Sequence, residues 1–163
     1  MRWIHHSAIA FSITLLATAN PVISTMAAAT TAMPDKIEFF LPFLRHRGIS
    51  HDPVLWFPVL MGMAVLAVSP LYDAFSIPAI AVILRLLTIG MTIGVCIHLL
   101  LDGLSKSGIP VFRKYRFAVG VYKTFTLSEH LLSMGICVPC LAIAALLGRL
   151  TPDVNRLIGY FTM

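Results

Sequence analysis

Four long apolar runs alternate with short polar segments along this chain of 163 residues. The runs cover approximately residues 4–33, 54–68, 77–101 and 127–147. The third and fourth runs have the length of about 20 residues that a helix needs to cross a membrane, whereas the second is shorter. The pattern predicts an all-α chain embedded in a membrane.

The first run is too long for one crossing, and Asn20-Pro21 lies near its middle. A single kinked helix would separate His6 from Asp35 by about 40 Å at 1.5 Å per residue. A helical hairpin that turns near Asn20-Pro21 would instead bring both ends of the run to one membrane face. We favour the hairpin, because it gathers the polar groups. The sequence thus predicts a polytopic membrane helical bundle, with an N-terminal helical hairpin and three further membrane helices, as a single domain over residues 1–163.

The N-terminus also has features of a cleavable secretory signal. Arg2 precedes an apolar run, and small residues follow at positions 27–29. The basic region is weak, however, and cleavage would remove His6. We therefore expect the segment to be retained in the mature protein.

Composition supports the membrane class and excludes some partners. Hydrophobic residues make up 58% of the chain and charged residues 12%, whereas soluble domains average about 45–50% and about 25%. The formal net charge is +5, and Lys and Arg residues beside membrane helices explain this excess without a nucleic-acid partner. The partners predicted are membrane lipids.

The positions of the charges predict an orientation. The segment 103–126 carries five Lys or Arg residues, and the segment 34–53 carries three, whereas the turn between the second and third runs has only Asp73. By the positive-inside rule the first two segments face the cytoplasm and the Asp73 turn faces outward. We therefore expect a multi-pass protein of a bacterial-type inner (plasma) membrane, with its C-terminus outside the cytoplasm.

Several residues with metal-binding or proton-transfer chemistry lie beside the apolar runs. His98 and Asp102 are four residues apart, which on a helix places both on one face. They could bind one metal, or the carboxylate could orient the imidazole; alternatively, Asp102 begins a loop and His98 is packed near the interface. His46 and His51 bracket a short segment with Gly48 that suits zinc, or they are solvated loop histidines.

Asp35 and Glu38 follow the first run, where carboxylates are ordinary on their own. They become candidates for the site because they lie shortly before His46 in the sequence. The pair Cys137 and Cys140 has the spacing of a redox motif, although the chain has only one further cysteine to serve it. We favour two small residues beside a proline kink.

Three motifs resemble the YdjM-like family of membrane-bound, predicted metal-dependent hydrolases. They are Met33-Pro34-Asp35, the run His-Arg-Gly-Ile-Ser-His over 46–51, and the run that begins His98-Leu-Leu-Leu-Asp102. The family shows Leu-Pro-Asp-x-Asp, His-Arg-Gly-x-Thr-His and His-x-x-x-Asp followed by Thr-x-x-Gly. His6 resembles an early family histidine, and the resemblance covers residues 6–116. One departure is Ile37, which stands where the family has its second Asp, with Glu38 next to it.

The resemblance implies a membrane-bound metal-dependent hydrolase, acting on a phosphoester or lipid-like substrate at the cytoplasmic face. The implied metal-site residues are His6, Asp35, His46, His51, His98 and Asp102. A divalent metal is expected, with zinc favoured by the imidazoles and manganese by the carboxylates, and Asp35 and Glu38 are the candidate catalytic bases. The alternative is a non-enzymatic protein that binds or transports metal. Haem is disfavoured, because it requires paired histidines at similar depth on facing helices, and the two in the third and fourth runs, His98 and His130, lie near their cytoplasmic ends.

Overall fold

The computed structural model describes residues 3–40, 48–71, 78–112 and 115–150. This part of the chain is mostly helical, in agreement with the all-α prediction, with one small β-hairpin that the sequence did not predict. The elements are α1 (Trp3–Thr18), α2 (Pro21–Thr30), α3 (Met33–Phe40), a 3-10 turn (Ile49–His51), α4 (Pro53–Val68), α5 (Pro78–Leu104), β1 (Ile109–Val111), β2 (Tyr115–Phe117) and α6 (Leu127–Leu146).

Helices α1 and α2 form an antiparallel pair, with the turn at Ala19 and Asn20. The Asn20 side chain caps α2 by accepting hydrogen bonds from the backbone N–H groups of Val22 and Ile23 at 2.9 and 3.1 Å. The hydroxyl of Ser7 donates to the Ala28 carbonyl across the pair at 2.9 Å. The turn thus lies at Asn20-Pro21, and the start of α1 and the end of α2 lie at the same end of the bundle.

Helix α5 is the central element and packs against α1, α2, α3 and α4. Gly90 and Gly94 lie where α5 crosses α2, and a Cβ atom added at Gly94 would lie 2.5 Å from the Ala27 carbonyl oxygen. At Gly90 it would lie 2.5 Å from the Met26 Cβ. Two glycines four residues apart therefore allow the backbones of α2 and α5 to approach closely.

Helices α4 and α6 complete the bundle on either side. Asp52 caps α4 by accepting from the Val54 N–H at 3.0 Å, and the ring of Trp56 packs on Val95 and Leu99 of α5. Helix α6 packs mainly on α1. Arg149, just after α6, donates to the carbonyl of Leu16 near the end of α1.

Two helices in the described part, α5 and α6, are long and apolar enough to cross a membrane. This is fewer than the sequence predicted, because the second apolar run forms α4, an apolar helix of only 16 residues. Pro53 is at the start of α4, and Pro70 follows its end. Proline favours the first turn of a helix and disfavours helix in the residue before it, so the run cannot lengthen at either end.

The β-hairpin lies against the C-terminal end of α5. Its strands pair antiparallel, with Pro110 opposite Arg116. The carbonyls of Gly103 and Leu104, at the end of α5, accept hydrogen bonds from the following segment, from the N–H groups of Val119 at 3.0 Å and Val121 at 2.9 Å. This segment thereby satisfies carbonyls that a helix end leaves without partners within the helix.

Candidate metal centre

Four polar atoms converge between α3, the 3-10 turn and α5. The Nε2 atoms of His51 and His98 are 3.0 Å apart. From His51 Nε2, an oxygen of Asp35 lies at 3.1 Å and an oxygen of Asp102 at 3.4 Å. The same two oxygens lie 3.9 and 3.6 Å from His98 Nε2.

These separations match the ligand shell of a small cation. Tetrahedral coordination with bonds of about 2.0–2.1 Å places its ligand atoms about 3.3 Å from one another. His51 Nε2 carries at most one hydrogen, yet it faces three polar atoms within 3.4 Å. A cation here would be within reach of Asp35, His51 and His98, whose ligand atoms all lie within 4.8 Å of one another, and an oxygen of Asp102 lies beside both histidines. The donor set of two imidazole nitrogens and two carboxylate oxygens is one that zinc and manganese accept.

Each ligand is placed by a local feature of the sequence. His98 and Asp102 are in the last two turns of α5, and their spacing of four residues places them on one face, as the sequence predicted. Asp35 is in the first turn of α3. His51 ends the 3-10 turn, which the indole N–H of Trp56 fixes by donating to the Ser50 carbonyl.

Glu38 lies behind His51 rather than beside the other ligands. Its carboxylate is 2.9 Å from His51 Nδ1, and it also accepts a hydrogen bond from the Ser50 hydroxyl. A carboxylate at Nδ1 favours the proton there, which would free the Nε2 lone pair for a cation once one is bound. Sequence reasoning missed Ser50 and Trp56 in this role. The position of Ser50 directly before His51 was the available signal.

His6 extends the cluster from α1. Its ring stacks on that of His98 with centroids 4.3 Å apart, and its Nε2 lies 3.4 Å from the second oxygen of Asp102. Neither ring nitrogen of His6 has a hydrogen-bond partner within the part of the chain that the structure describes. Because buried polar atoms are normally hydrogen-bonded, these nitrogens are suited to a cation. Asp102 therefore directs one oxygen to His6 and the other to His51 and His98.

Burial and charge distinguish Asp35 from the other ligands. His6, His51, His98 and Asp102 are at most 1% exposed, whereas the Asp35 side chain is 14% exposed. Burial acts to raise the pKa of Asp35, but the hydrogen bond with His51 and the charges of the two neighbouring imidazoles hold that pKa below its ordinary value. Asp35 is therefore ionised at neutral pH, the form that binds metal.

The structure brings together five of the six residues predicted for the metal site. The ligand atoms of Asp35, His51 and His98 lie within 4.8 Å of one another, as do those of His6, His98 and Asp102. His46 lies outside the described residues, and its place in the site stays a prediction.

A second polar group lies nearby but outside this ligand set. The carboxylate of Glu129 accepts the N–H of Phe125 at 2.6 Å and lies 3.7 Å from His5, whose ring contacts that of His130. Glu129 is in the first turn of α6, where a carboxylate is favoured by the helix dipole.

Comparisons with protein-family models, with curated proteins and with solved structures gave no match. The resemblance to the YdjM-like family therefore rests on the motifs of this chain alone.

Proposed function

We propose that this protein is a membrane-bound, metal-dependent hydrolase with a divalent metal at the cluster of Asp35, His51, His98 and Asp102. The observation that carries the proposal is that the Nε2 atoms of His51 and His98 lie 3.0 Å apart, with one oxygen each of Asp35 and Asp102 at 3.1–3.9 Å from both of them. Such a group of buried ligands is costly in an apolar bundle unless its members are paired or hold an ion.

We place the centre at the cytoplasmic face of a bacterial-type inner membrane. Supporting this, α5 and α6 are apolar and long enough to span, and the ligands of α5 are in its last two turns. The stretch that follows is rich in Lys and Arg, which favours the cytoplasmic side. The proposed topology has α5 and α6 as spans, with the α1–α2 hairpin and α4 embedded beside them.

The residues have separable roles in the proposed chemistry. A divalent ion in such a site supplies Lewis-acid polarisation and activation of water near neutral pH. Glu38 holds the proton on His51 Nδ1, and so acts as a positioning residue. Asp35 is the most exposed of the carboxylates that contact His51 and is ionised, so it is our candidate for the general base. The sequence left this role open between Asp35 and Glu38.

The reaction class rests on the motifs that this chain shares with the YdjM-like family. The motifs over 33–35, 46–51 and 98–102 contain Asp35, His51, His98 and Asp102, the four residues that converge in the fold. We propose a phosphoester or lipid-like substrate, because a centre at the membrane surface would be reached by amphiphiles from the bilayer.

Elemental analysis of the purified chain tests the metal proposal. We expect zinc or manganese in the wild type and loss of roughly nine tenths or more of it in His51→Ala and in His98→Ala, because loss of a direct ligand should cost at least the roughly 10–100-fold in affinity that loss of an orienting partner costs. His130→Ala removes an exposed histidine outside the cluster and should keep the wild-type content. A folded wild-type protein without metal, even after incubation with zinc and manganese, would contradict the proposal. His46→Ala tests the sixth predicted ligand in the same assay.

The metal stoichiometry tests the part played by His6. Asp102 directs one oxygen to His6 and the other to His51 and His98, so these residues would hold either one ion or two. Two ions in the wild type and one in His6→Ala would assign His6 to a second ion. One ion in both would leave His6 as a packing residue.

A non-enzymatic metal-binding or metal-transporting protein is the second candidate. The observation in its favour is the near-complete burial of His6, His51, His98 and Asp102, which narrows access for a substrate. Metal-dependent turnover of phosphoesters or of extracted membrane lipids would support the hydrolase. Metal flux into proteoliposomes, without turnover, would support the transporter.

A further inference from the structure

The β-hairpin and the segment leading to α6 expose four aromatic rings, which we call the hairpin surface. Phe112 is 67% exposed, Tyr115 71%, Phe117 56% and Phe125 73%. The strand that carries Tyr115 and Phe117 is exposed on both faces. Single exposed apolar residues are ordinary, whereas a group of large rings at one end of a molecule marks an interaction site.

Two of these residues also have unfavourable backbone conformations. The φ angles are +53° at Phe112 and +62° at Phe125, in the left-handed region that bulky side chains rarely adopt. Such conformations occur in tight turns and at functional sites. Here both residues lie in turns, and each turn presents a ring that is about two thirds or more exposed.

The charge of the same segment identifies what these rings would meet. Residues 103–128 contain five Lys or Arg residues and no Asp or Glu. Lys106, Arg116 and Lys123 are exposed, and the Arg116 guanidinium donates to the Ser107 carbonyl at 2.9 Å, which holds it over the base of the hairpin. Cations interleaved with exposed aromatic rings complement an anionic lipid surface, since aromatic rings favour the headgroup level and Lys and Arg pair with phosphates.

We propose that the hairpin surface lies in the lipid headgroup region and binds anionic phospholipid headgroups; this rests on the membrane placement proposed above. The hairpin joins α5 and α6, the two helices long enough to span, so it lies where both reach the same membrane surface. It is also close to the metal centre. Gly103 directly follows Asp102, and a Cβ at Gly103 would lie 3.4 Å from the Phe117 ring. The lipid bound here is thus held beside the metal ligands.

Lipid selectivity in proteoliposomes tests the proposal directly. Spin-labelled phosphatidylglycerol and phosphatidylcholine report by electron paramagnetic resonance which lipid is retained at the protein surface. We expect the wild type to prefer phosphatidylglycerol at low salt and Arg116→Gln to lower that preference by up to about fivefold. High salt should weaken the preference of the wild type for phosphatidylglycerol, because the Debye screening length falls from about 10 Å at 0.1 M to about 3 Å at 1 M salt.

Two further variants separate this surface from general effects. Arg156→Gln removes one positive charge after α6 and should keep the preference for phosphatidylglycerol. If Arg156→Gln lowered this preference as much as Arg116→Gln does, the effect would come from net charge alone and the proposal would be overturned. Phe112→Gly relieves the left-handed backbone, so it should leave thermal stability in detergent unchanged or raised while weakening lipid retention. Lower stability with unchanged retention would make Phe112 a packing residue and contradict the proposal.

The remaining outcomes separate headgroups from free phosphate and from the metal proposal. Millimolar inorganic phosphate should leave the lipid preference unchanged. If phosphate abolished the preference, the surface would be a site for free phosphate and not for lipid headgroups. Metal content should be normal in Arg116→Gln. If metal-free His51→Ala kept the lipid preference, the lipid inference would hold whether or not the protein binds metal. If the wild type bound metal but showed no lipid preference, the lipid inference would be rejected and the metal proposal would remain.

Discussion

Replacing Gly94 by alanine tests how packing positions the candidate metal centre. The added Cβ would lie 2.5 Å from the Ala27 carbonyl oxygen and 2.6 Å from the Thr30 hydroxyl oxygen, both on α2. The Ala27 carbonyl belongs to the backbone of α2, so α2 and α5 must move apart. His98 is one helical turn beyond Gly94, and a displacement of α5 therefore moves a proposed metal ligand.

Two opposing terms set the expected size of the effect. Alanine is favoured over glycine in a helix by about 0.8–1.0 kcal/mol, whereas overpacking of a close contact costs about 1–3 kcal/mol. Because the contact is to backbone, we expect overpacking to dominate. Gly94→Ala should therefore lower the free energy of unfolding by up to about 2 kcal/mol, the difference between the two terms, and also weaken metal binding.

Gly62→Ala is the matched control, because Gly62 is inside α4 and a Cβ there would have no atom within 4 Å. It should stabilise the protein by up to about 1 kcal/mol through helix propensity alone. Unfolding in detergent, followed by circular dichroism, measures both variants, and zinc titration measures the effect on the site. If Gly94→Ala stabilised the protein as much as Gly62→Ala, the close crossing of α2 and α5 would be wrong.

Three further predictions concern the site and the topology. Glu38→Gln should lower zinc affinity by about 10–100-fold in a zinc titration, because the carboxylate no longer orients His51; an unchanged affinity would contradict the positioning role. A reporter that works only outside the cytoplasm should be active when fused to Met163, and one inserted within 106–123 should be silent; the opposite pattern would invert the orientation. The intact mass of the purified protein should include His6, and a mass corresponding to cleavage near Ala28 would show that it is absent from the mature site.

The helical hairpin of α1 and α2 could be predicted because its sequence signals are local. Asn20-Pro21 supplies both a cap and a residue suited to the first turn of α2, and these lie in two adjacent positions of the sequence. The number of spanning helices was harder to predict, because hydropathy alone does not distinguish a span from a shorter helix such as α4. The β-hairpin was missed because its strands have three residues each and one contains Pro110, which weakens a strand signal.

The sequence predicted that five residues now seen close together would approach one another, but it could not predict their arrangement. The spacing of His98 and Asp102 fixes their common face from the sequence alone. The contact of Glu38 with His51 depends on how α3 meets the 3-10 turn, and no periodicity encodes that distance. The stacking of His6 on His98 likewise requires the packing of α1 against α5. Motifs can identify such ligands, whereas the division into direct and positioning contacts depends on tertiary packing.

The distribution of the candidate ligands would give a bound metal a structural role as well as the proposed chemical one. His6 belongs to α1, Asp35 to α3, His51 to the 3-10 turn, and His98 with Asp102 to α5. An ion bound by them joins elements that are separated by many residues in sequence, and the free energy of such binding adds to that of folding. The ion would join these elements at the same end of the bundle where α5 meets the β-hairpin. A centre that holds this end together would therefore fix the hairpin surface relative to Asp102, so that a lipid headgroup bound at that surface is held at a constant distance from the metal ligands.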